Sequence, residues 1–170
     1  MNASELTEVL RLHALWRKGD PAGKRANGAK VAAAFGVVPG LYILKLQDPK
    51  TCLHAWKYLE NGVSPYQHST YAVGKSYEAK DYSADERILC ASGLNVATLD
   101  WCLADSRDKT HVEFLEVQFK ASDIVAVPLA TDGKFRVRKF KVLRKVSREQ
   151  AHAILDKHLA LLLQPEKEAA

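Results

Sequence analysis

Residues 112–162 read VEFLEVQFKASDIVAVPLATDGKFRVRKFKVLRKVSREQAHAILDKHLALL. Val112–Phe119 alternates, with Val112 and Phe114 on one side and Glu113, Leu115, Val117 and Phe119 on the other, as a strand requires. Ile124–Val127 is short and apolar, the pattern of a buried strand, and Pro128 ends it. Asp132-Gly133 is a turn, and Phe135–Val146 is the last strand. In that strand Phe135 and Val137 are odd, whereas Phe140 and Val142 are even. Strict alternation cannot keep all four on one face, so the pattern predicts a β-bulge at Arg138-Lys139. A helix over 147–163 follows. Ser147 and Gln150 form a capping box, and Ala151, Ile154, Leu155, His158 and Leu162 make its buried stripe.

Working back toward the N-terminus, Leu99–Ala104 reads as a short helix and Asp81–Arg87 as a capped helical turn. Thr70–Val73 and Ser76–Tyr77 are strand-like, and Asn61-Gly62 is a strong turn signal. Thr51–Leu59 is equally compatible with a strand or a short helix. Leu41–Leu46 alternates as a first strand that Asp48-Pro49 breaks. Leu6, Val9, Leu10, His13 and Trp16 place a helix over 4–18, with a glycine-rich connector to residue 40 and a helical turn or two at Ala29–Phe35. Helix, mostly strands, then helix gives an α+β class: an N-terminal helix, a twisted, mostly antiparallel β-sheet and a C-terminal helix. The organisation expected is a leader helix and connector over 1–40 and one α+β domain over 41–170.

With 170 residues, 47% of them hydrophobic, the chain is long enough for one real core. No apolar run approaches the roughly 18 residues of a membrane span, and the polar start carries no signal-peptide core. Cys52, Cys90 and Cys102 are too few and too unevenly spaced for a disulfide framework or a structural zinc site. Free, buried thiols in a reducing cytosol are expected. No HExxH, GxSxG, P-loop or GxGxxG motif occurs, so neither metal nor cofactor is implied, and the reading leans away from an enzyme. His13 and His158 read as packed helix residues.

Two constellations point to binding. The net charge of +5 comes from one strip, Lys134–Arg148, with eight basic residues and no acidic one; outside it 17 basic residues face 20 acidic. Lys134, Arg136 and Arg138 share a strand face, and Lys139, Lys141 and Arg144 continue the strip, as phosphate contact or an acidic protein surface would require. A solvated face paired with Glu113 and Glu116 explains the strip as well. The second constellation is aromatic: Trp56, Tyr58, Tyr66, Tyr71, Tyr77 and Tyr82 fall close together, and such side chains suit bases, sugars or protein hot spots.

Three blocks carry a family resemblance: Cys90-Ala91-Ser92-Gly93-Leu94-Asn95-Val96-Ala97-Thr98, then Phe119-Lys120-Ala121-Ser122-Asp123-Ile124-Val125-Ala126-Val127-Pro128, then Asp132-Gly133-Lys134-Phe135-Arg136-Val137. Over residues 70–146 the series resembles a β-rich domain of phage and prophage proteins of unknown function, like the C-terminal part of T-even phage rIIB-like proteins. Asn95 stands where those relatives usually carry histidine. The blocks also suit scaffolding, with Gly93 at a tight turn or close approach and Asp123 capping the entry to a strand. Leu6–Trp16 and Gly23–Asn27 resemble the leader helix that precedes pentapeptide repeats. The resemblance implies a cytoplasmic phage or prophage accessory protein. Charge and aromatic placement imply that it acts by binding, and the phage resemblance extends this to an expected stoichiometric inhibitor of a host defence complex of CRISPR type. The alternatives are a nucleic-acid or nucleotide binder using strand 134–145, or a nucleotide-acting enzyme. The latter follows from His68-Ser69-Thr70-Tyr71, which resembles the strand motif of ADP-ribosyltransferases, although the Glu-x-Glu is absent. Its pocket would join His68 and Tyr71 to Glu113 or Glu116.

Overall fold

The computed structural model describes residues 47–162 without a break, with positions 8, 11–12, 15, 21–24, 41 and 44–45 before them. Of the expected 4–18 helix, Glu8, Arg11, Leu12 and Leu15 are described and helical. His13, the Ala29–Phe35 turns and the tail after Leu162 lie outside the described residues. The class is α+β: a mostly antiparallel seven-stranded sheet with helices.

The strands are β1 (Cys52–Glu60), β2 (Ser76–Glu78), β3 (Leu94–Ala97), β4 (Val112–Lys120), β5 (Ile124–Ala126), β6 (Lys134–Val137) and β7 (Lys139–Val146). Helix α1 (Leu99–Asp105) follows β3, and α2 (Arg148–Leu162) follows β7. The sheet order is β2-β7-β4-β1-β3-β6-β5. β6 and β7 stand four places apart in it, yet Arg138 alone joins them. Strands lie about 4.8 Å apart, so a flat sheet would separate the two by roughly 19 Å. Two Cα steps span at most about 7.6 Å. The sheet is therefore curled until its ends meet, and Arg138 sits at the seam. Its N–H donates to the Asp123 carbonyl at 2.7 Å, and its carbonyl accepts from Ala79 N–H at 2.9 Å.

This seam corrects the bulge expected at Arg138-Lys139. The apolar phase changes there because the chain passes from one end of the sheet to the other. The bulge lies instead inside β7, where Glu116 pairs with Arg144 but Val117 with Val142, leaving Leu143 extra.

Curling gives the sheet an inside and an outside. Ala55, Leu59, Val96, Leu115, Val117, Phe119, Phe135, Val137, Phe140 and Val142 fill the inside. Phe119 and Phe135 stack edge-on at 5.8 Å although their strands are not neighbours. On the outside, Trp56, Tyr58, Phe114 and Val146 pack under Leu99, Cys102 and Leu103 of α1 and Ala151, Ile154 and Leu155 of α2. β1 is thus covered on both faces, which is why Ala55–Leu59 are buried without alternation, whereas β4 alternates from Leu115 to Phe119 past half-buried Glu116 and Gln118.

Local signals held where backbone chemistry is self-contained. Asn61 and Gly62 both take positive φ (52° and 81°), and Glu60 and Val63 exchange N–H···O bonds around them, a type I′ turn. The Ser147 N–H donates to Gln150 Oε1 at 2.9 Å and the Gln150 N–H to Ser147 Oγ at 3.3 Å, the reciprocal capping box. The Lys120 N–H donates to Asp123 Oδ2 at 3.2 Å, so Asp123 caps the entry to β5.

Other expectations are corrected. Leu41, Leu44 and Lys45 lie in 3-10 turns rather than a strand; Leu41 and Leu44, three apart, both reach the inner core. Thr70–Val73 is irregular, and only Ser76–Glu78 pairs, with β7. Asp81–Arg87 is not helical; it is an irregular segment whose Ser83 and Asp85 carbonyls accept from Arg136. His158 is exposed, as are Cys52 and Cys90; only Cys102 is buried. All three thiols are free.

Candidate functional site

Trp56 of β1 faces Ala97 of β3, and beyond that pair the two strands diverge. A cavity of about 300 Å³ lies in the fork. β1 and β3 form its floor, α1 contributes Trp101 and Cys102, and the segments 64–67 and 90–92 close its sides. Four aromatic residues line it: Trp56, Tyr58, Tyr66 and Trp101. Two lysines, Lys57 and Lys134, are the only formally charged lining side chains among the described residues.

Lys57 holds an inward position, between Ala55 and Leu59 of the inner core, and is only 7% exposed. Its ammonium donates to the Asn95 carbonyl, which has lost its β1 ladder partner to the fork. It also lies 5.2 Å from the Tyr71 ring centre. Burial pulls the Lys57 amine down to about 8; Lys134 adds to that shift and Cys102 opposes it. Lys134 is equally buried, at 7%. Its ammonium donates to Cys90 Sγ at 2.6 Å and rests 5.1 Å and 5.0 Å from the Tyr66 and Trp101 ring centres. Neither lysine has a carboxylate partner among the described residues. Burial also pushes the Cys102 thiol up, so it stays neutral.

The walls are fixed from behind. Tyr58 and Tyr66 both donate to Asp105 Oδ2 at 2.6 Å. Burial and then Asp105 raise both phenols, Tyr66 to about 12, so both remain protonated donors. Trp101 Nε1–H donates to Asp132 Oδ1 at 2.7 Å. Gly133 lets the β5–β6 turn lie against α1: its φ is +144°, and a Cβ there would come within 2.8 Å of Trp101 Cβ. Gly93, at φ +117°, permits the close approach of Tyr82 that its turn reading anticipated. Asn95 donates its amide to Ala91 O at 3.1 Å, while its Oδ1 is buried with no partner.

Arg136 lies fully buried behind the 90–92 wall. Its guanidinium donates to the carbonyls of Ser83 (2.9 Å), Asp85 (2.5 Å), Ile88 (2.7 Å) and Leu89 (3.4 Å). It therefore organises the loop and does not face solvent.

Of the residues singled out in the sequence, Trp56, Tyr58, Tyr66 and Lys134 are brought together in the cavity. Tyr71 and Tyr77 stack on each other (4.9 Å) and on Phe140 in the inner core. The rest of the strip is dispersed. Arg138 pairs with Asp123 (3.0 Å), Lys139 with Glu78 (3.4 Å), Arg144 with Glu116 (2.5 Å) and Lys145 with Glu113 (2.7 Å). Lys141 is exposed opposite Gln118 and has no acidic partner among the described residues. Burial raises the Glu116 carboxyl, and its bonds to His54 and Arg144 more than reverse that. Glu113, Glu116, His68 and Tyr71 do not line the cavity. Among the described residues no cluster of ligating side chains could hold a metal, and no helix is long and apolar enough to cross a membrane.

Sequence reasoning missed Lys57 and Trp101, and it singled out Asn95 only as a departure from the histidine of the resembling proteins. The signal for Lys57 was available: the one charged residue inside the otherwise apolar and aromatic run Ala55–Leu59. It stayed hidden because 51–59 could not be assigned to a strand.

No family model matches the chain, and no curated protein or solved structure matches it.

Proposed function

We propose that this protein is a binding module for a small planar anion of mononucleotide size, held in the cavity between β1 and β3. One observation carries the reading: two buried ammonium groups share an aromatic-lined cavity with no carboxylate among the described residues to pair them. A buried charge is costly unless paired, and Lys134 finds only a thiol and two ring faces. A ligand that brings an anionic group to Lys134 and a flat ring to Trp101 or Tyr66 supplies what is missing. The volume, at the lower end for ligand pockets, favours a monophosphate over a longer nucleotide. This is the nucleotide-binding alternative relocated: Lys134 contacts the anion, and the remainder of strand 134–145 does not.

Two of the three tryptophans line the cavity, so ligand entry is expected to quench intrinsic fluorescence. AMP should bind, and adenosine, which lacks the anion, should bind at least about tenfold more weakly. Lys134→Met should erase the difference between them. Equal affinity of the wild type for AMP and adenosine, or no quenching by either, contradicts the reading.

A second reading keeps the inhibitor role implied by the phage resemblance. It is supported by Ile88, Leu89 and Leu129, apolar side chains exposed at 46%, 38% and 50% on two loops joined by the Leu129 N–H to Glu86 carbonyl bond. Capture of host proteins from lysate should then fall with Ile88→Glu/Leu129→Glu, and unchanged capture contradicts it.

A further inference from the structure

Lys57 is placed unlike an ordinary binding lysine. It lies on the inward face of β1 but at the one point where the sheet opens, so its amine is desolvated by the inner core and still borders the cavity. Its electrostatic neighbours are Cys102 and a second ammonium, Lys134. Tyr71 lies alongside as a ring face, not an acceptor. Its single hydrogen-bond partner is the Asn95 carbonyl. Among the described residues no carboxylate pairs with it, and burial beside another cation is how proteins favour the neutral, nucleophilic form of a lysine.

We infer that Lys57 forms a reversible imine with the carbonyl carbon of an anionic aldehyde or ketone whose charged group is held by Lys134. The inference rests on the anion-binding reading above and extends it from recognition to covalent capture. The neutral amine adds its lone pair to the carbonyl carbon, forming the N–C bond. The carbonyl oxygen takes up both amine protons and leaves as water, so no oxidant or reductant is needed. The Asn95 carbonyl accepts from the amine and aims it during the addition. Anchoring by Lys134 selects an anionic carbonyl compound over a neutral one. Asn95, which also lines the cavity, carries a further unpaired acceptor, its buried Oδ1.

The test uses two probes that share a ring and a phosphate: pyridoxal phosphate, which carries an aldehyde, and pyridoxine phosphate, which carries an alcohol in its place. The intact protein is mixed with one equivalent of pyridoxal phosphate, reduced with cyanoborohydride, digested and mapped by mass spectrometry. The expected result is one dominant adduct, on Lys57, suppressed by excess pyridoxine phosphate and absent from Lys57→Arg and Lys57→Met. Lys134→Met should lower the adduct yield at least about tenfold while leaving Lys57 in place. Tryptophan quenching by pyridoxine phosphate without any Lys57 adduct overturns the imine and leaves anion binding standing. Adducts spread over exposed lysines, with no quenching by pyridoxine phosphate, overturn both.

Discussion

Arg136→Met is expected to destabilise the protein by about 4 kcal/mol, a sum of several charge-assisted bonds lost from buried acceptors. At the usual scaling that is a fall of roughly 10 °C in Tm. Methionine keeps the unbranched apolar stem as far as the δ position and lacks only the guanidinium, so the lost polar contacts outweigh the void it leaves. What disappears is a planar fork of donors that reaches Ser83, Asp85, Ile88 and Leu89 at once. Lysine offers its donors from one nitrogen and should recover under half of the loss. The consequence reaches the cavity, because the loop that Arg136 holds ends in the 90–92 wall. Urea titration should show the lower midpoint, and amide exchange should quicken in residues 83–92 before the strands. A loss below about 1 kcal/mol would mean that the loop is held by something other than Arg136.

Lys57→Met should do the opposite to stability. The folded amine sits at about 8, below its ordinary 10.5. Between those values the unfolded chain binds the extra proton, so stability rises with pH across that window and its penalty is fully present below about pH 8. The penalty is roughly 3 kcal/mol at neutral pH for a shift of this size. Removing the amine removes the penalty, so Lys57→Met should be the more stable protein at pH 7, and its advantage should shrink toward zero by about pH 10.5. Cys102 titrates the other way, since its thiol is raised in the folded state and its contribution falls as pH rises past the ordinary thiol range. The difference between wild type and Lys57→Met at each pH cancels much of that slope, though the two groups are coupled. Urea midpoints at pH 7, 8.5 and 10 give the measurement. A pH-independent difference, or a less stable Lys57→Met at pH 7, contradicts the burial of an uncompensated amine.

Both effects come from residues that sequence patterning assigned elsewhere or passed over. Arg136 was placed on a solvated basic face because strand alternation puts it with Lys134 and Arg138. Alternation does not reveal that the face is roofed by a loop whose backbone needs donors. The turn at Asn61-Gly62, the cap at Ser147 and the α1 helix were legible because each is decided by a few adjacent residues. The curl of the sheet was not, because it depends on β6 and β7 pairing with different partners across a single residue. Its only trace was the phase change at Arg138, which reads equally well as a bulge. The aromatic half of the cavity was visible as a cluster in sequence. Its basic half reduced from a strip to Lys134: pairing with Glu113 and Glu116 was legible in the sequence, whereas Glu78 and Asp123 come from elements that only folding brings alongside.

The most direct measurement is a ¹H–¹⁵N spectrum of the labelled protein during titration with AMP. Occupation of the fork should move the indole N–H signals of Trp56 and Trp101 and the amides of Asn95 and Ala97, while Lys139, Lys141 and Arg144 stay in place. Shifts confined to Lys139–Arg144, or no shift at the two indoles at millimolar AMP, would contradict the cavity as the binding site.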